Sequence, residues 1–308
     1  MEYRRLGSST MMVSVLSLGT WSPGPRFEPL IFNRVLDAAL DSGINFIDTA
    51  DVYLNGAVES WLGTRSHDLA SAGVVVATKG GADLGACSGA ANLGAKRLRA
   101  ALELSLSRLR RECIDLYQLH GPDFLTSWDD TVCELRKFKE EGKVLYFGYS
   151  NFSDGMIEDR HRRAANAGVE FVSRQMFSSI LSRDFVRERL SAYALGIGTL
   201  AYGCLAGGAV INHGLGASPK ISHYASSIDR RKVHILRSIA ASAGRTELEL
   251  ALGWILSAGH CSAIVGMSSP SQIRADSAAV GKKLEEVELE LIRKAMSVTS
   301  DCEIAVGD

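Results

Sequence analysis

No run of about 18 uncharged apolar residues occurs in the chain, so no membrane span is expected. Met1-Glu2-Tyr3-Arg4-Arg5 leads into no apolar segment, so no secretory signal is expected either. Charge of one sign is missing as well. Lys and Arg total 34 against 35 Asp and Glu, a formal net charge of −1. With a pI near 6.7, that balance gives no reason to expect nucleic acid or anionic lipid as a partner. The six cysteines (Cys87, Cys113, Cys133, Cys204, Cys261 and Cys302) show neither paired nor metal-ligand spacing. Cys113, Cys133 and Cys261 lie in apolar-patterned segments, where a small buried thiol is expected. A reduced, cytoplasmic protein without a structural metal follows. No GxGxxG follows the first strand, which counts against a dinucleotide-binding open sheet.

What is present is apolar alternation on the scale of whole elements. The chain has 308 residues, 46% of them hydrophobic, enough for a sizeable core. Tyr3–Thr10 and Val13–Leu16 suggest two short strands around a Gly/Ser turn, a hairpin ahead of the main body. Apolar strands are then expected near residues 16–19, 44–47, 74–77, 114–119, 144–147, 169–172, 197–201 and 263–265. Helical spacing falls between them, over 30–40, 58–69, 96–109, 128–140, 154–166, 184–194, 229–243 and 247–256, then over 271–280 and 284–296. Eight strand-plus-helix units at this length predict a (β/α)₈ TIM barrel. The expected layout is one domain over 1–308, with an N-terminal β-hairpin (1–16), the barrel (17–308) and two extra helices. An open sheet with two lobes is the alternative.

Barrel enzymes carry their chemistry where the strands end, and polar residues fall there one strand at a time. Asp48 and Tyr53 follow strand two, Lys79 strand three, and His120 strand four. Ser150 and Asn151 follow strand five, Gln175 strand six, Tyr202 strand seven, and Ser268 strand eight. Each has a plain alternative. Asp48 could cap the next helix, Ser150-Asn151 could be an N-cap pair, and Gln175 could be a satisfied core amide. Those alternatives would have to hold at every strand together. Asp48, Tyr53, Lys79 and His120 make an acid–base set with no good nucleophile. A cationic lysine close to a phenol lowers its pKa, a carboxylate fixes that lysine, and a neutral imidazole can bond the oxygen that receives the proton. This suits protonating an alkoxide as it forms from a carbonyl, which needs a hydride donor. Ser, Asn and Gln side chains together could hold a carboxamide, and Tyr202 could stack on its ring. Asp51 has no such job and reads as a loop residue.

These stretches resemble the aldo-keto reductase superfamily over nearly the whole chain. They run from Tyr3-Arg-Arg-Leu-Gly7 and Leu18-Gly-Thr-Trp21 through Phe46-Ile-Asp48-Thr-Ala-Asp-Val-Tyr53, Ala77-Thr-Lys79 and Asp115-Leu-Tyr-Gln-Leu-His120. They end at Gly148-Tyr-Ser-Asn-Phe152 and Ile264-Val-Gly-Met-Ser-Ser269. The pattern is nearest to members resembling potassium-channel β subunits and bacterial aldo/keto reductases. The resemblance implies reduction of a small-molecule aldehyde or ketone by NADPH, with NADH the alternative cofactor. It implies Tyr53 as general acid, Lys79 and Asp48 as its tuning pair, and His120 as the residue orienting the carbonyl. For the cofactor it implies Ser150, Asn151 and Gln175 at the amide, with Tyr202 on the ring. Gly19, Thr20, Trp21, Asp48, Gly203 and Leu205 would lie alongside, Gly266, Ser268 and Gln272 would take the adenosine phosphate end, and Asp276, which would repel a phosphate, counts among the cofactor contacts near them. The chain departs from the pattern at Gln272, where many members place arginine, and at Ala275 and Asp276, where Glu and Asn are common. It also has Gly203-Cys204-Leu205 after Tyr202 where Ser-Pro-Leu is frequent. A monomer or homo-oligomer is expected. The alternative functions are an NAD-dependent sugar or alcohol dehydrogenase and a cofactor-binding regulatory subunit with slow turnover. The pocket would be lined by loops 21–27, 53–56, 120–128 and 203–225 and the tail after Val298. Phe124 and Trp128 would offer apolar surface there, unless Trp128 simply packs its helix.

Overall fold

The computed structural model describes residues 1–21, 28–82, 91–182, 192, 194–211 and 230–297. Most of the helix expected over 184–194, and the expectations for loop 22–27, residues 212–225 and the tail after Val298, lie outside them.

In chain order the strands are β1 (Tyr3–Arg5), β2 (Met12–Ser14), β3 (Leu16–Gly19), β4 (Phe46–Asp48), β5 (Val75–Gly80) and β6 (Ile114–Leu119). β7 (Val144–Ser150), β8 (Phe171–Phe177), β9 (Gly198–Tyr202) and β10 (Ser262–Gly266) follow. Between them run α1 (Pro29–Asp41), α2 (Ala57–Thr64), α3 (Ser66–Ser71), α4 (Ala95–Leu109), α5 (Trp128–Glu140) and α6 (Asp154–Asn166). α7 (Arg230–Ala243) and α8 (Glu247–Ser257) follow β9, and α9 (Pro270–Val280) and α10 (Glu286–Ser297) follow β10. One helix of each late pair is the extra one. No helix among the described residues is long and apolar enough to cross a membrane.

The strands from β3 to β10 close a barrel in the order β10-β3-β4-β5-β6-β7-β8-β9. All eight pairings are parallel. A parallel strand is buried on both faces, and that is why each reads as a continuous apolar run. β1 and β2 pair antiparallel as the hairpin. Leu6, Met11 and Val13 join the barrel-interior residues Phe46, Ala77, Leu116, Val172, Leu200 and Ile264 in one apolar cluster. The hairpin thus plugs the end where the strands begin. Its turn is tight: a Cβ at Gly7, whose φ is +55°, would lie 2.2 Å from the carbonyl oxygen of Val172 and 2.7 Å from the nitrogen of Gly198.

Several boundaries differ from expectation, for one physical reason. The ladder does not stop at the last apolar residue. β4, β5, β7, β8 and β9 continue through Asp48, Lys79, Ser150, Gln175 and Tyr202. Polar side chains there have inward partners, so pairing persists and the site sits on strands more than on loops. Leu16 already pairs with Ala263 in the barrel. The helix expected over 58–69 breaks at Arg65, whose side chain pairs with Asp37 and Asp68 at 2.9 and 2.8 Å. Of the three thiols expected to be buried, Cys133 is exposed and Cys113 and Cys261 are half-buried; Cys204, for which no burial was expected, is buried.

Candidate active site

Asp48 and Lys79 meet inside the mouth of the barrel, 3% and 1% exposed. A buried ammonium must have its donors used, and this one does. Lys79 Nζ donates to Asp48 Oδ2 at 2.7 Å, to the Thr49 carbonyl at 2.9 Å and to the Tyr53 hydroxyl at 3.1 Å. The other carboxylate oxygen, Asp48 Oδ1, accepts from Gln175 Nε2 at 2.7 Å and Gln118 Nε2 at 3.2 Å. From there a polar chain crosses the mouth. Ser150 Oγ donates to Gln175 Oε1 at 3.2 Å, and Asn151 Nδ2 donates to Ser150 Oγ at 3.2 Å and to the His120 carbonyl at 3.0 Å. Tyr202 donates its hydroxyl proton to Asn151 Oδ1 at 2.7 Å. Asn151 sits at φ +64°, a left-handed position that asparagine tolerates better than most residues.

The helix-cap alternatives fail on position. α2 is capped at Gly56 and α6 at Ser153, so neither Asp48 nor Ser150-Asn151 starts a helix. Gln175 is a buried amide satisfied by the site itself. Gln118 was not anticipated. It shares the inward face of β6 with Leu116, and an amide two residues beyond an interior leucine was the available signal. Asp51 lies in a turn, as expected of a loop residue, but it is buried and faces Arg97 at 3.8 Å. Burial, with the charge of Glu59 adding to it, pushes its carboxyl up to about 6. Trp128 is packing: it is buried, its ring stacks on Tyr149 at 6.3 Å, and its Nε1 donates to the Arg160 carbonyl at 3.0 Å. Phe124 stands exposed.

Tyr53 opens a short 3₁₀ turn, Tyr53–Gly56, and meets the His120 ring edge-on at 6.0 Å between centroids. Its titration departs from the expectation. Burial raises the phenol above its ordinary value, and the opposing pull of the Lys79 charge does not offset it. The phenol therefore keeps its proton. For Lys79, burial disfavours the charge, but Asp48 and Tyr53 outweigh it and raise the pKa, so the ammonium persists. Burial, and then the Lys79 charge, press His120 down to about 3, so its imidazole is neutral. His120 Nδ1 and Gln118 Oε1 are buried without a hydrogen-bond partner.

Beside this network, Thr20 donates both its backbone N–H (3.0 Å) and its Oγ1 hydroxyl (2.9 Å) to the Asp48 carbonyl. Gly19 pairs with Asp48 on one side and Gly266 on the other. A Cβ at Gly266 would reach the Trp21 carbonyl oxygen at 3.5 Å. Gly203 follows β9 at φ +71°, and Leu205 packs where two core clusters meet. Ser268, Gln272 and Asp276 form a separate group at β10–α9. Ser268 donates from N and Oγ to Gln272 Oε1 at 2.8 and 3.0 Å, and Ser269 caps α9. Asp276 is 4% exposed, and burial pushes its carboxyl up to about 7.

A closed parallel barrel whose strand ends gather a lysine–carboxylate pair, a phenol and an imidazole defines a class of oxidoreductase. The sequence model of the Aldo/keto reductase family matches residues 15–297. The chain belongs to that family, whose members use nicotinamide cofactors. The oxidoreductase YrpG of Bacillus subtilis is 31% identical over 312 residues, covering 95% of each chain. A probable voltage-gated potassium channel subunit beta of Oryza sativa subsp. japonica is 31% identical over 303 residues, covering 89% of each. The holo form of an aldo-keto reductase from Bacillus halodurans is similar in structure, with a TM-score of 0.81, 28% identity and 96% of both chains covered.

Proposed function

We propose that the protein reduces an aldehyde or ketone to the alcohol with NADPH, and that Tyr53 is the general acid. The observation that carries this is the buried Lys79 ammonium shared between Asp48 Oδ2 at 2.7 Å and the Tyr53 hydroxyl at 3.1 Å. The residues present fit the cofactor. Ser150, Asn151 and Gln175 offer hydroxyl and amide groups for a carboxamide, and Tyr202 a ring. Gly19, Thr20, Trp21, Asp48, Gly203 and Leu205 flank that end. Gly266 leaves room beside Trp21, and Ser268 and Gln272 would take the adenosine phosphate end, whereas the buried Asp276 carboxyl offers a phosphate no donor when ionised. When bound, the reduced nicotinamide supplies the hydride to the carbonyl carbon.

The chain's own residues handle the oxygen. His120, its imidazole neutral, orients the carbonyl by hydrogen bonding. Tyr53, still protonated, gives its proton to the oxygen as negative charge develops there. The phenolate left behind faces the Lys79 ammonium, whose charge is held by Asp48. Solvent then returns a proton to Tyr53.

Tyr53→Phe is expected to lower kcat by about 10²–10⁴-fold, the usual weight of a positioned acid, while NADPH still binds. Cofactor fluorescence measures the binding, and oxidation of NADPH and NADH across aldehydes, ketones, quinones and keto-sugars measures turnover. Full turnover in Tyr53→Phe would overturn the assignment. Faster oxidation of NADH would overturn the cofactor choice and favour the NAD-dependent dehydrogenase. The likeness to probable channel β subunits favours a second reading, a regulatory subunit that binds cofactor and turns over slowly. Tight NADPH binding with no turnover on the whole panel is its signature.

A further inference from the structure

We propose that the ion pair between buried Glu59 and half-buried Arg108 is a positioning device that sets the separation between Tyr53 and Lys79; this rests on the general-acid reading of Tyr53. The turn that carries Tyr53 has its own hydrogen bonds, among them Asn55 N–H to the Val52 carbonyl at 3.1 Å, but its backbone is strained. Leu54, Asn55 and Gly56 lie in succession at φ of 47°, 53° and 85°, and two consecutive non-glycine residues in the left-handed region persist only where the surroundings impose them. The surroundings here are specific. The Arg108 guanidinium lies directly beneath Gly56, where a Cβ would fall 2.1 Å from Arg108 Cζ. Arg108 Nη1 donates to the Asp51 carbonyl at 3.0 Å and to Glu59 Oε2 at 3.2 Å. Glu59 is fully buried, and its other oxygen accepts from the Thr78 hydroxyl at 2.7 Å.

Thr78 is the residue before Lys79, and Asp51 is two residues before Tyr53. The four groups therefore form a clamp, Thr78–Glu59–Arg108–Asp51, that ties the end of β5 to the loop after β4. A further tie, from the Asp51 N–H to the Lys79 carbonyl at 3.1 Å, joins the same two segments. Asp51 faces Arg97 at 3.8 Å on one side and the Glu59–Arg108 pair on the other. None of these groups reaches the reacting atoms. Their effect is on where the phenol stands relative to the ammonium, and a misplacement of about 1 Å at such a site costs about 10²-fold.

The test uses the full chain with tyrosine labelled at ¹³Cζ, the Tyr53 signal being identified by its loss in Tyr53→Phe. Arg108→Met and Glu59→Gln are expected to lower kcat by about 10–100-fold, leaving KM and NADPH affinity within about threefold. In the protein without cofactor they should shift the Tyr53 signal and raise its titration further, because the phenol moves from the ammonium. Arg108→Lys, which keeps the charge, is expected to recover part of both effects. Wild-type kcat with an unmoved Tyr53 signal in folded Arg108→Met or Glu59→Gln would overturn the clamp. If those variants do not fold, Thr78→Val carries the test, since it removes one hydroxyl at nearly constant volume; an unchanged kcat and signal there overturns it equally. Should Tyr53→Phe keep full turnover, the general-acid reading falls, and the Tyr53 signal still decides the clamp.

Discussion

At the scale of single residues, burial sets the protonation of Tyr53 and His120, whereas at Lys79 the neighbouring Asp48 and Tyr53 outweigh it. His120 has its pKa pressed to about 3, far below the working range, so the imidazole stays neutral from about pH 5 to 8. The pH profile of kcat/KM is therefore expected to show no inflection from His120 near its ordinary 6.5. Profiles of the wild type and His120→Gln check this: an inflection there that disappears in the variant would contradict it. Asp276 runs the other way. Its carboxyl rises from 3.8 to about 7, so the folded chain holds a proton that the unfolded chain has released. Its contribution to stability is present below pH 3.8 and is lost as pH rises through about 7. Asp276→Asn removes that loss. Thermal denaturation of the cofactor-free protein should show it more stable by on the order of 2 kcal/mol, a few degrees, at about pH 8, and no gain at about pH 4. Equal gains at both pH values would mean that ionisation is not the cause.

At the scale of elements, the hairpin and the site occupy opposite ends of the same strands and answer to different forces. Leu6 is fully buried among barrel-interior side chains. Leu6→Ala should cost about 2–5 kcal/mol, read from the denaturant midpoint, with kcat of the folded fraction nearly unchanged. A large fall in kcat would mean that the plug transmits to the mouth. The elements were largely legible because apolar periodicity survives in a sequence. The eight strands, the hairpin and most helices fall where the pattern places them. The strand ends were not legible from apolar runs alone. Asp48, Lys79 and Gln175 belong to strands only because each finds a partner on another strand, a fact of tertiary contact. Within the candidate site, the residue types at the strand ends pointed to the cluster that Asp48, Lys79, Tyr53 and His120 form. The opposing pull of burial on Tyr53 did not show, because it depends on how deeply the phenol is enclosed. Gln118 was hidden as one polar letter in an apolar run, and Asp51 looked idle because Arg97 lies far from it in sequence.

At the scale of the whole molecule, the Asp48–Lys79 pair is a stability cost that the barrel carries. Taking both charges out of water is unfavourable, and their attraction and hydrogen bonds only roughly offset it, whereas losing one partner leaves a buried charge uncompensated. Lys79→Met would leave the Asp48 carboxylate with amide donors alone, and Asp48→Asn would leave the ammonium facing an amide, a carbonyl and a phenol. Each single change should cost about 3–5 kcal/mol. The pair of changes together removes both charges, while the asparagine oxygen still accepts from Gln118 and Gln175. Asp48→Asn/Lys79→Met is therefore expected to be more stable than either single variant by about 2–3 kcal/mol, and close to the wild type. Denaturant unfolding of the four proteins without cofactor gives the cycle, and simple additivity would show that the two groups do not act as a buried pair. Turnover should be lost in all three variants, because the phenol then has no fixed ammonium beside it. Recovery of stability without recovery of activity is what separates a pair kept for chemistry from one kept for the fold.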